Sequence, residues 1–501
     1  MYANIRTRFF IYFFIVFRCL TTAEILDELE RMDAMEDSDT SDEEGGPISN
    51  VSETTIYIMP PNDGFVTDED SGDETTVTPD NLTGPQLSAE AHTSSTVDEP
   101  DESVSSKKKI KIRQWKSEDL AIKNFDVCYP YKPSAADKPR SPCEIFELYL
   151  DTVAIDLLTK QTVSYAVQKG AHTFSLSSSD MKAFLAILII SGYSTVPRRR
   201  MYWENESDVR NELIATSMKR DRFDEIFRYF HAADNNNLDS TDKYAKVRPL
   251  LSLLNNRFMK FGSVFGPTNV SIDESMVSYY GRHPSKQFIR GKPIRWGYKA
   301  WVAADPLGYT YDINLYQGQK ATGTNRKEEF GLGGSVILGA VEEIEKYYPR
   351  KRLSLYFDNY FTSVKLLEEL SARGHGATGT LRVNRTEKCP FSDAKKFTKK
   401  PRGSLEYYST ENSTIVLAKW LDNGSVIVGS NEHGVFPCAK AERYSATEKK
   451  RVQVPVPNLI KQYNCYMGGV DRLDQNISLY RIAIRGENGI FLYYSILLML
   501  L

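Results

Sequence analysis

Hydrophobic positions recur at helical spacing through the first part of the chain that can form a core. The clearest helical segments are residues 142–170, 181–193, 219–234 and 246–262. Trp203 and the aromatic side chains of residues 223–230 are expected to pack in the core of this region rather than to stack on bases. Residues 115–265 are therefore predicted to be all-helical.

The pattern changes to a strand period near residue 268. Gly or Pro separates runs rich in β-branched and aromatic residues, namely TNVSIDESMVSYY, YKAWVAAD, YTYDINLYQ and LSLYFDNYF. Residues 334–348 and 363–374 have helical spacing, and residues 375–383 form a fifth strand. The first three strands are expected to meander, while the two helices supply crossovers to parallel strands. This order predicts an α/β fold with a mixed sheet, preceded by the helical region.

The segment from about residue 24 to residue 106 has too few large apolar residues to form a core. Its acidic runs, such as SDTSDEEGG and TDEDSGDETT, cannot bury enough apolar area to offset the entropy lost on ordering. The composition therefore predicts a disordered acidic tail.

Charge is distributed very unevenly along the 501 residues. Residues 1–106 contain 24 acidic and 4 basic residues, whereas the rest of the chain contains 42 acidic and 59 basic residues. A globular region with that excess of basic residues indicates a polyanionic partner such as nucleic acid. The alternative is that the lysines only solvate the surface.

The six cysteines are scattered, and no two form a C-x-x-C pair. None lies near a His at zinc-ligand spacing, so no structural zinc site is expected. Sparse cysteine usage of this kind is typical of a reducing compartment.

Three short segments raise questions of targeting. Residues 9–17 are apolar and follow Arg6 and Arg8, which allows a secretory signal, a short packed element or non-native N-terminal sequence. The last interpretation is favoured, because nothing downstream is typical of a secreted protein. Residues 107–113 (KKKIKIR) suit nuclear import, a phosphate-binding arm or a solvated surface. Residues 490–501 are apolar but too short to span a bilayer, and they are expected to be a core helix cut short.

Carboxylates inside β-prone runs suggest a composite site. Asp273 would lie within the first strand and Asp358 at the carboxyl end of the fourth, so the two converge if those strands are neighbours. Asp471 and Asp474, three residues apart, would share one face of a helix. Hard divalent cations such as Mg²⁺ or Mn²⁺ prefer oxygen ligands of this kind. Two ions about 4 Å apart would act on a phosphodiester.

Each of these acids also has a structural alternative. Asp273 could cap a helix or pair with one of the many basic residues, and Asp358 could cap the helix that follows it. Asp471 could occupy the first turn of a helix, where a negative charge is favourable.

Several longer blocks resemble the signature sequences of piggyBac-type transposases. The blocks are SIDESMVSYYGRH, KPIRWGYKAW, YFDNYFTSVKLLEEL and YNCYMGGVDRLDQNISLYRI. WENES, KRDRFDEIFRYFHAADN and KVRPLLSLLN resemble the helical region that precedes them in that family. The resemblance covers about residues 115–485 in the family's order. It implies a ribonuclease-H-like core with a DDE/D triad of metal-binding acids.

The resemblance assigns roles to individual residues. Asp273, Asp358 and Asp471 match the three acids that hold two Mg²⁺ or Mn²⁺ ions, and Asp474 matches the accessory acid. Phosphate contacts are expected from the basic residues of the same blocks, namely Arg282, Lys286, Lys292, Arg295 and Lys299. The implied activity is metal-dependent DNA cleavage and strand transfer at TTAA sites. The implied setting is a homodimer on double-stranded DNA in the nucleus, without a small-molecule cofactor or a membrane.

The resemblance also implies an organisation of the chain. The predicted parts are an apolar stretch and acidic tail (1–106), a basic segment with a helical DNA-binding and dimerisation region (107–265), the first part of the catalytic core (266–383), a β-rich insertion with a hairpin around Asp422-Asn423-Gly424 (384–455), the last part of the core with the third acid (456–485), and a truncated apolar C-terminus (486–501).

The C-terminus departs from the family pattern. Relatives usually continue past YRI-x-IR into tryptophan-containing helices and often a zinc-binding domain, whereas YRIAIR (480–485) here runs into GENGIFLYYSILLMLL. Because catalysis requires acids positioned to within about an ångström, the metal-binding acids can be intact while the enzyme is inactive. Two functions therefore remain open, a DNA transposase and a domesticated DNA- or chromatin-binding protein without catalytic turnover.

Overall fold

The computed structural model divides the chain into two compact units, residues 1–110 and residues 111–501. The residues that it describes are 20–21, 54–58, 90–95, 113–120, 140–262, 269–279, 285–288, 294, 296–318, 327–349, 351–445 and 449–484. The apolar stretch 9–17, the basic run 107–113 except Arg113, and the C-terminal segment 486–501 lie outside these ranges.

In the first unit, the described residues form a three-stranded antiparallel sheet. Its strands are β1 (Leu20–Thr21), β2 (Thr54–Ile58) and β3 (Glu90–Ser95), in the order β1-β3-β2. Strand β2 has the β-branched and aromatic sequence TTIYI, which suits a strand although the composition of the whole tail predicted disorder. The other residues of the tail lie outside the described ranges, so the prediction of disorder stays a prediction there.

Residues 140–262 of the second unit form the predicted helical region. The helices are α1 (Pro142–Tyr149), α2 (Thr152–Gln168), α3 (Ser178–Ile190), α4 (Glu212–Ser217), α5 (Arg220–Tyr229) and α6 (Arg248–Gly262). The single helix expected over residues 142–170 is divided in two, because the Asp151 side chain caps the start of α2. Helix α3 also begins earlier than predicted, with Ser177 as its cap.

The aromatic residues of this region pack in the core, as the pattern predicted. Phe223 is fully buried, and its ring lies 5.1 Å from that of Phe184 and 5.3 Å from that of Trp203. The indole nitrogen of Trp203 donates a hydrogen bond to the Met218 carbonyl at 2.7 Å. The same hydrophobic cluster includes Val302 of the sheet, so the helices cover one of its faces.

A ten-stranded mixed sheet forms the centre of the second unit. Its strands are β4 (Trp115–Lys116), β5 (Asn269–Ser278), β6 (Lys286–Phe288), β7 (Trp296–Ala304), β8 (Thr310–Leu315), β9 (Ser354–Phe357), β10 (Gly376–Thr380), β11 (Leu405–Thr410), β12 (Val416–Leu421) and β13 (Ser425–Ser430). The order is β4-β11-β12-β13-β10-β9-β5-β7-β6, and β8 pairs with β7.

The strand directions follow the prediction from sequence. Strands β5, β7 and β8 form an antiparallel meander, whereas β9 runs parallel to both β5 and β10. The crossovers are helices α7 (Lys327–Tyr347) and α8 (Val364–Ala372). The expected α/β fold with a mixed sheet is confirmed.

The strands expected in the β-rich insertion extend this sheet. Strands β12 and β13 form the predicted hairpin, with Leu421 opposite Ser425, and β13 pairs with β10. A separate two-stranded ribbon consists of β14 (Ala439–Ser445) and β15 (Lys450–Val456). Among the described residues, three further α-helices follow, α9 (Ala394–Phe397), α10 (Asn458–Tyr466) and α11 (Gly469–Leu479). No helix in the described part of the chain has the length and apolar character needed to cross a membrane.

Candidate active site

The register between strands β5 and β9 places the first two predicted acids side by side. Ser271 pairs with Tyr356 and Ile272 pairs with Phe357, so the next residues on the two strands are Asp273 and Asp358. Neighbouring strands lie roughly 4.8 Å apart. The register therefore makes Asp273 and Asp358 neighbours in the sheet, as their predicted convergence requires.

Asp358 ends strand β9 and starts a tight turn. Its Oδ1 accepts a hydrogen bond from the Tyr360 amide at 2.8 Å. Helix α8 is capped instead by Ser363, whose hydroxyl accepts from the Leu366 amide at 3.2 Å, so Asp358 does not cap that helix. Burial raises the pKa of the Asp358 carboxyl above its usual value, and the nearby Glu274 charge adds to the increase.

Asp273 lies within strand β5 and so cannot cap a helix. Its Oδ1 accepts a hydrogen bond from the following amide, that of Glu274, at 2.8 Å. The Glu274 carboxylate lies 3.8 Å from the Lys299 ammonium. The first half of the site is thus a pair of half-buried aspartates on adjacent strands, with a third acid beside them.

Helix α11 carries the last two predicted acids and brings one of them, Asp474, to strand β5. The Ser275 hydroxyl donates a hydrogen bond to Asp474 Oδ1 at 2.6 Å. Ser275 is two residues from Asp273, and alternate residues of a strand share one face of the sheet. Asp471 is exposed and lies in the first turn of α11, where the helix dipole favours it, as the structural alternative predicted.

Helix α11 begins in close contact with Ser271 and Asp305. A Cβ on Gly469, the first residue of α11, would lie 2.2 Å from the Asp305 carbonyl oxygen and 2.4 Å from Ser271 Oγ. Only a residue without a side chain allows the helix to start at this distance. The buried side chains Val470 and Leu473 then attach the helix to the core.

Tyr463 on helix α10 lies within electrostatic reach of three of the acids. Burial raises the pKa of its phenol to about 12, and the charges of Asp358, Asp273 and Asp471 contribute to the increase. The same hydroxyl forms a hydrogen bond with Thr380. Sequence reasoning did not select Tyr463, although it belongs to the block YNCYMGGVD that carries the third acid.

The chemistry of the paired aspartates suits a hard divalent cation. The donors are carboxylate oxygens, and a cation would favour the ionised form of Asp358, which burial disfavours. Within the described ranges, however, no three His, Cys, Asp or Glu side chains are arranged so that they could hold a metal ion together. Asp471 therefore does not complete a ligand set with Asp273 and Asp358 in this conformation.

The structure describes only two of the five basic residues predicted to contact DNA. Lys286 is half-buried, with its ammonium 4.9 Å from the centre of the Trp296 ring, and burial lowers its pKa. Lys299 is also half-buried and lies 4.0 Å from the centre of the Trp301 ring. Both side chains pack against indole rings. The other three residues, Arg282, Lys292 and Arg295, lie outside the described ranges.

Two arginines that sequence reasoning missed lie beside the turn that contains Asp358. Arg382 donates to the side-chain oxygen of Asn359 at 3.1 Å, and Arg385 donates to the Tyr360 carbonyl at 2.7 Å. The Arg382 charge acts to lower the pKa of Asp358. They belong to the loop LRVNRT after β10, and nothing in that short sequence distinguishes them from ordinary surface arginines.

Comparisons with known proteins agree with the fold and with these sequence blocks. Residues 141–500 match the family model described as Transposase IS4. The chain is 41% identical over 492 residues to human PiggyBac transposable element-derived protein 3, covering 94% of this chain and 81% of the relative. It is 39% identical over 446 residues to human PiggyBac transposable element-derived protein 2, covering 86% and 74%.

A solved structure shows the same fold. It is the cryo-EM structure of a piggyBac transposase synaptic complex with hairpin DNA, which superposes with a TM-score of 0.53 and 22% sequence identity, covering 72% of this chain and 73% of that one. The chain belongs to the IS4 family of transposases and, within it, to the piggyBac-type proteins.

Proposed function

We propose that this protein is a piggyBac-type DNA transposase that cleaves and joins DNA at TTAA sites in a metal-dependent reaction. The observation that carries the proposal is the register of β5 and β9, which makes Asp273 and Asp358 neighbours. The charges of Asp273, Asp358 and Asp471 all contribute to the raised pKa of the Tyr463 phenol, which supports a site shared by three acids.

The strand order supports a ribonuclease-H-like core. The order β8-β7-β5-β9-β10 consists of an antiparallel meander followed by two strands parallel to its first strand. We infer that residues 266–383 and 456–485 form this core and that residues 384–455 are an insertion into it. Residues 107–265 would supply the helical region for DNA binding and dimerisation.

In the proposed reaction, Asp273, Asp358 and Asp471 would hold two Mg²⁺ or Mn²⁺ ions, and Asp471 would have to move from its exposed position to complete the ligand set. When bound, such ions supply an activated oxygen nucleophile and stabilise the leaving oxygen of a phosphodiester. Asp474 positions Asp471 through its hydrogen bond to Ser275, because both acids belong to α11. The Tyr463 phenol, with a pKa of about 12, stays protonated at neutral pH and adds no negative charge to the site.

The partner in this proposal is double-stranded DNA, bound by a homodimer in the nucleus. Arg382 and Arg385 would place positive charge beside Asp358, where a scissile phosphate would approach. The related cryo-EM structure is a synaptic complex of a transposase with hairpin DNA, which supports the same class of ligand here.

A second function, DNA or chromatin binding without catalytic turnover, is favoured by one observation. In the described part of the chain the acids do not form a closed metal-binding cluster. A domesticated protein that keeps the fold while its third acid is displaced would have this arrangement.

The two functions differ in their response to loss of one acid. Purified protein is incubated with TTAA-flanked DNA and Mg²⁺ or Mn²⁺, and nicking is compared for the wild type, Asp273→Asn and Asp208→Asn. Asp208 is exposed and distant in sequence from the site, so its variant controls for the change in charge. Nicking that is lost only in Asp273→Asn supports the transposase. Salt-sensitive binding without nicking by the wild type supports the second function.

A further inference from the structure

Many basic side chains of the described structure are already paired with carboxylates. In the helical region, Arg199 and Arg200 share Asp224 at 3.0 Å, and Arg248 pairs with Asp242 at 2.7 Å. Such pairs neutralise much of the charge that the composition assigns to the surface. Basic side chains outside such pairs therefore carry most of the positive charge that a partner could contact.

Four exposed lysines of residues 384–455 have no such carboxylate partner among the described residues. Lys395, Lys396, Lys399 and Lys440 are exposed, and no carboxylate of the described residues lies within 4.0 Å of their ammonium groups. We name these four residues the insertion basic face. Residues 394–403 contain five basic and no acidic residues, and residues 439–456 contain five basic and two acidic residues.

The two segments that carry this face pack against each other. Arg402 donates to the Tyr444 carbonyl at 3.0 Å, and Asp422 bridges Arg402 and Arg443. A Cβ on Gly403 would lie 2.8 Å from the Pro455 ring. The lysine-rich segment therefore lies directly beside the β14–β15 ribbon.

Buried groups anchor the backbone segment that carries Lys395 and Lys396. Phe397, at the end of helix α9, has no exposed surface, and the Lys419 ammonium lies 4.7 Å from its ring centre. Asp393 caps the same short helix through the Lys395 amide at 2.7 Å. Because the backbone is anchored on both sides of Lys395 and Lys396, less conformational entropy is lost when these side chains bind a ligand.

We propose that the insertion basic face binds the phosphate backbone of duplex DNA, at a place separate from the aspartates. This inference rests on the proposed function and adds a second DNA contact to it. Lysine ammonium groups act as point charges toward phosphates and need no defined base sequence. The adjoining β14–β15 ribbon exposes Tyr444, which is 63% accessible, and a two-stranded ribbon of this kind has the width of a major groove.

The test measures how the affinity for DNA depends on salt. The triple variant Lys395→Gln, Lys396→Gln and Lys399→Gln is combined with Asp273→Asn so that binding is measured without cleavage. A matched control replaces Lys346, Lys365 and Lys461, three exposed lysines outside the helical region and the insertion, with Gln in the same background. Binding of a TTAA-containing duplex is followed between about 50 and 200 mM salt, and thermal unfolding verifies that each variant is folded.

The insertion-face variant should lose at least tenfold in affinity at the lower salt concentration. Its slope of log K against log salt should fall in magnitude by roughly 2 to 3, since each lost phosphate contact contributes about 0.9. The control should keep the slope of the parent. The additional change Lys440→Gln should lower the slope by up to about one more.

Several results would overturn the inference. If the triple variant and the control have equal slopes while the parent binds DNA and the wild type nicks it, the inference fails and the proposed function stands. If the parent binds no duplex DNA and the wild type does not nick it, both fail. Tighter binding of an RNA duplex than of DNA through the same lysines would show that the partner class is wrong.

Discussion

The two halves of the candidate site are built in different ways. The sheet half consists of Asp273 and Asp358, which are neighbours because β5 and β9 pair in a single register. The helix half consists of Asp474, which is tied to Ser275 of the sheet, and Asp471, which is exposed on the same helix. That helix, α11, starts at a close contact through Gly469. The position of the first half is set by backbone pairing, while the position of the second depends on how one helix docks. We expect the helix half to be the more easily displaced.

Gly469→Ala should have the largest effect, because the added Cβ would lie 2.2 Å from the Asp305 carbonyl oxygen. The start of α11 must move away from the sheet, which we expect to cost about 1 to 3 kcal/mol of stability. A displacement of about 1 Å at the reacting groups lowers rates on the order of 100-fold, so nicking should fall by that factor. The measurements are nicking rate and thermal unfolding.

The adjacent Gly468 provides a matched control, since a Cβ there would have no heavy atom within 4 Å. Gly468→Ala should keep both activity and stability. Equal activities of the two variants would show that the close contact does not position the third acid.

Ser275→Ala should have the next largest effect, because it removes the hydrogen bond of 2.6 Å to Asp474. A hydrogen bond to a charged group contributes roughly 1.5 to 3 kcal/mol to stability. We expect part of this free energy to be lost from the docking of α11 on the sheet. Nicking should fall about tenfold at low Mg²⁺ and recover partly at high Mg²⁺. Ser275→Thr, which keeps the hydroxyl, should stay close to the wild type, and a loss of the same size there would point to packing instead.

Tyr463→Phe should have a smaller effect, because the ring stays and only the hydroxyl is removed. The hydrogen bond with Thr380 is lost, at a cost of about 1 kcal/mol. We expect a several-fold fall in nicking without a change in the pH dependence between pH 6 and pH 8, because a phenol with a pKa of about 12 does not titrate there. A titration step that the wild type has in this range and the variant lacks would contradict the protonated phenol.

Asp312→Asn should leave the site unaffected and change only stability. Burial raises the pKa of this carboxyl from 3.8 to about 6, with a contribution from Glu343. Because the folded-state pKa is the higher one, the unfolded chain releases this proton first as the pH rises. The associated stability is present below about pH 4 and is lost as the pH rises through about 6, by at most about 3 kcal/mol.

Unfolding free energies of the wild type and Asp312→Asn between pH 4 and pH 7 test this sign. The variant should lack this decline, and its Asn side chain can still accept the hydrogen bond from Asn255, which is 2.7 Å long in the wild type. A decline of the same size in the variant would assign the pH dependence to other groups.

Local patterns in the sequence were sufficient to predict the meander, the crossover helices and the β12–β13 hairpin. Their signals lie within a few residues, such as β-branched runs separated by Gly or Pro and the turn at Asp422-Asn423-Gly424. The pairing of β13 with β10 joins residues about fifty positions apart, and no local pattern predicts it. The helical pattern predicted over residues 142–170 corresponds to two helices, because the Asp151 side chain caps the start of the second.

The candidate site, like the fold, could be predicted from the sequence only in part. Asp273 and Asp358 were expected to meet because both lie in or at the end of a strand. The docking of α11 depends on Gly469, whose role is visible only when Ser271 and Asp305 are placed against it. Tyr463 and the two loop arginines come near the acids through tertiary packing, which composition and spacing do not encode.

Binding of Mn²⁺ measured by electron paramagnetic resonance tests the central claim most directly. The wild type should bind Mn²⁺, and Asp273→Asn and Asp358→Asn should each weaken binding at least tenfold, while Asp208→Asn should bind like the wild type. Binding should also weaken as the pH falls, because protons compete for Asp358, whose pKa burial raises. Equal binding by the wild type and both site variants would contradict a metal site formed by these neighbouring strands.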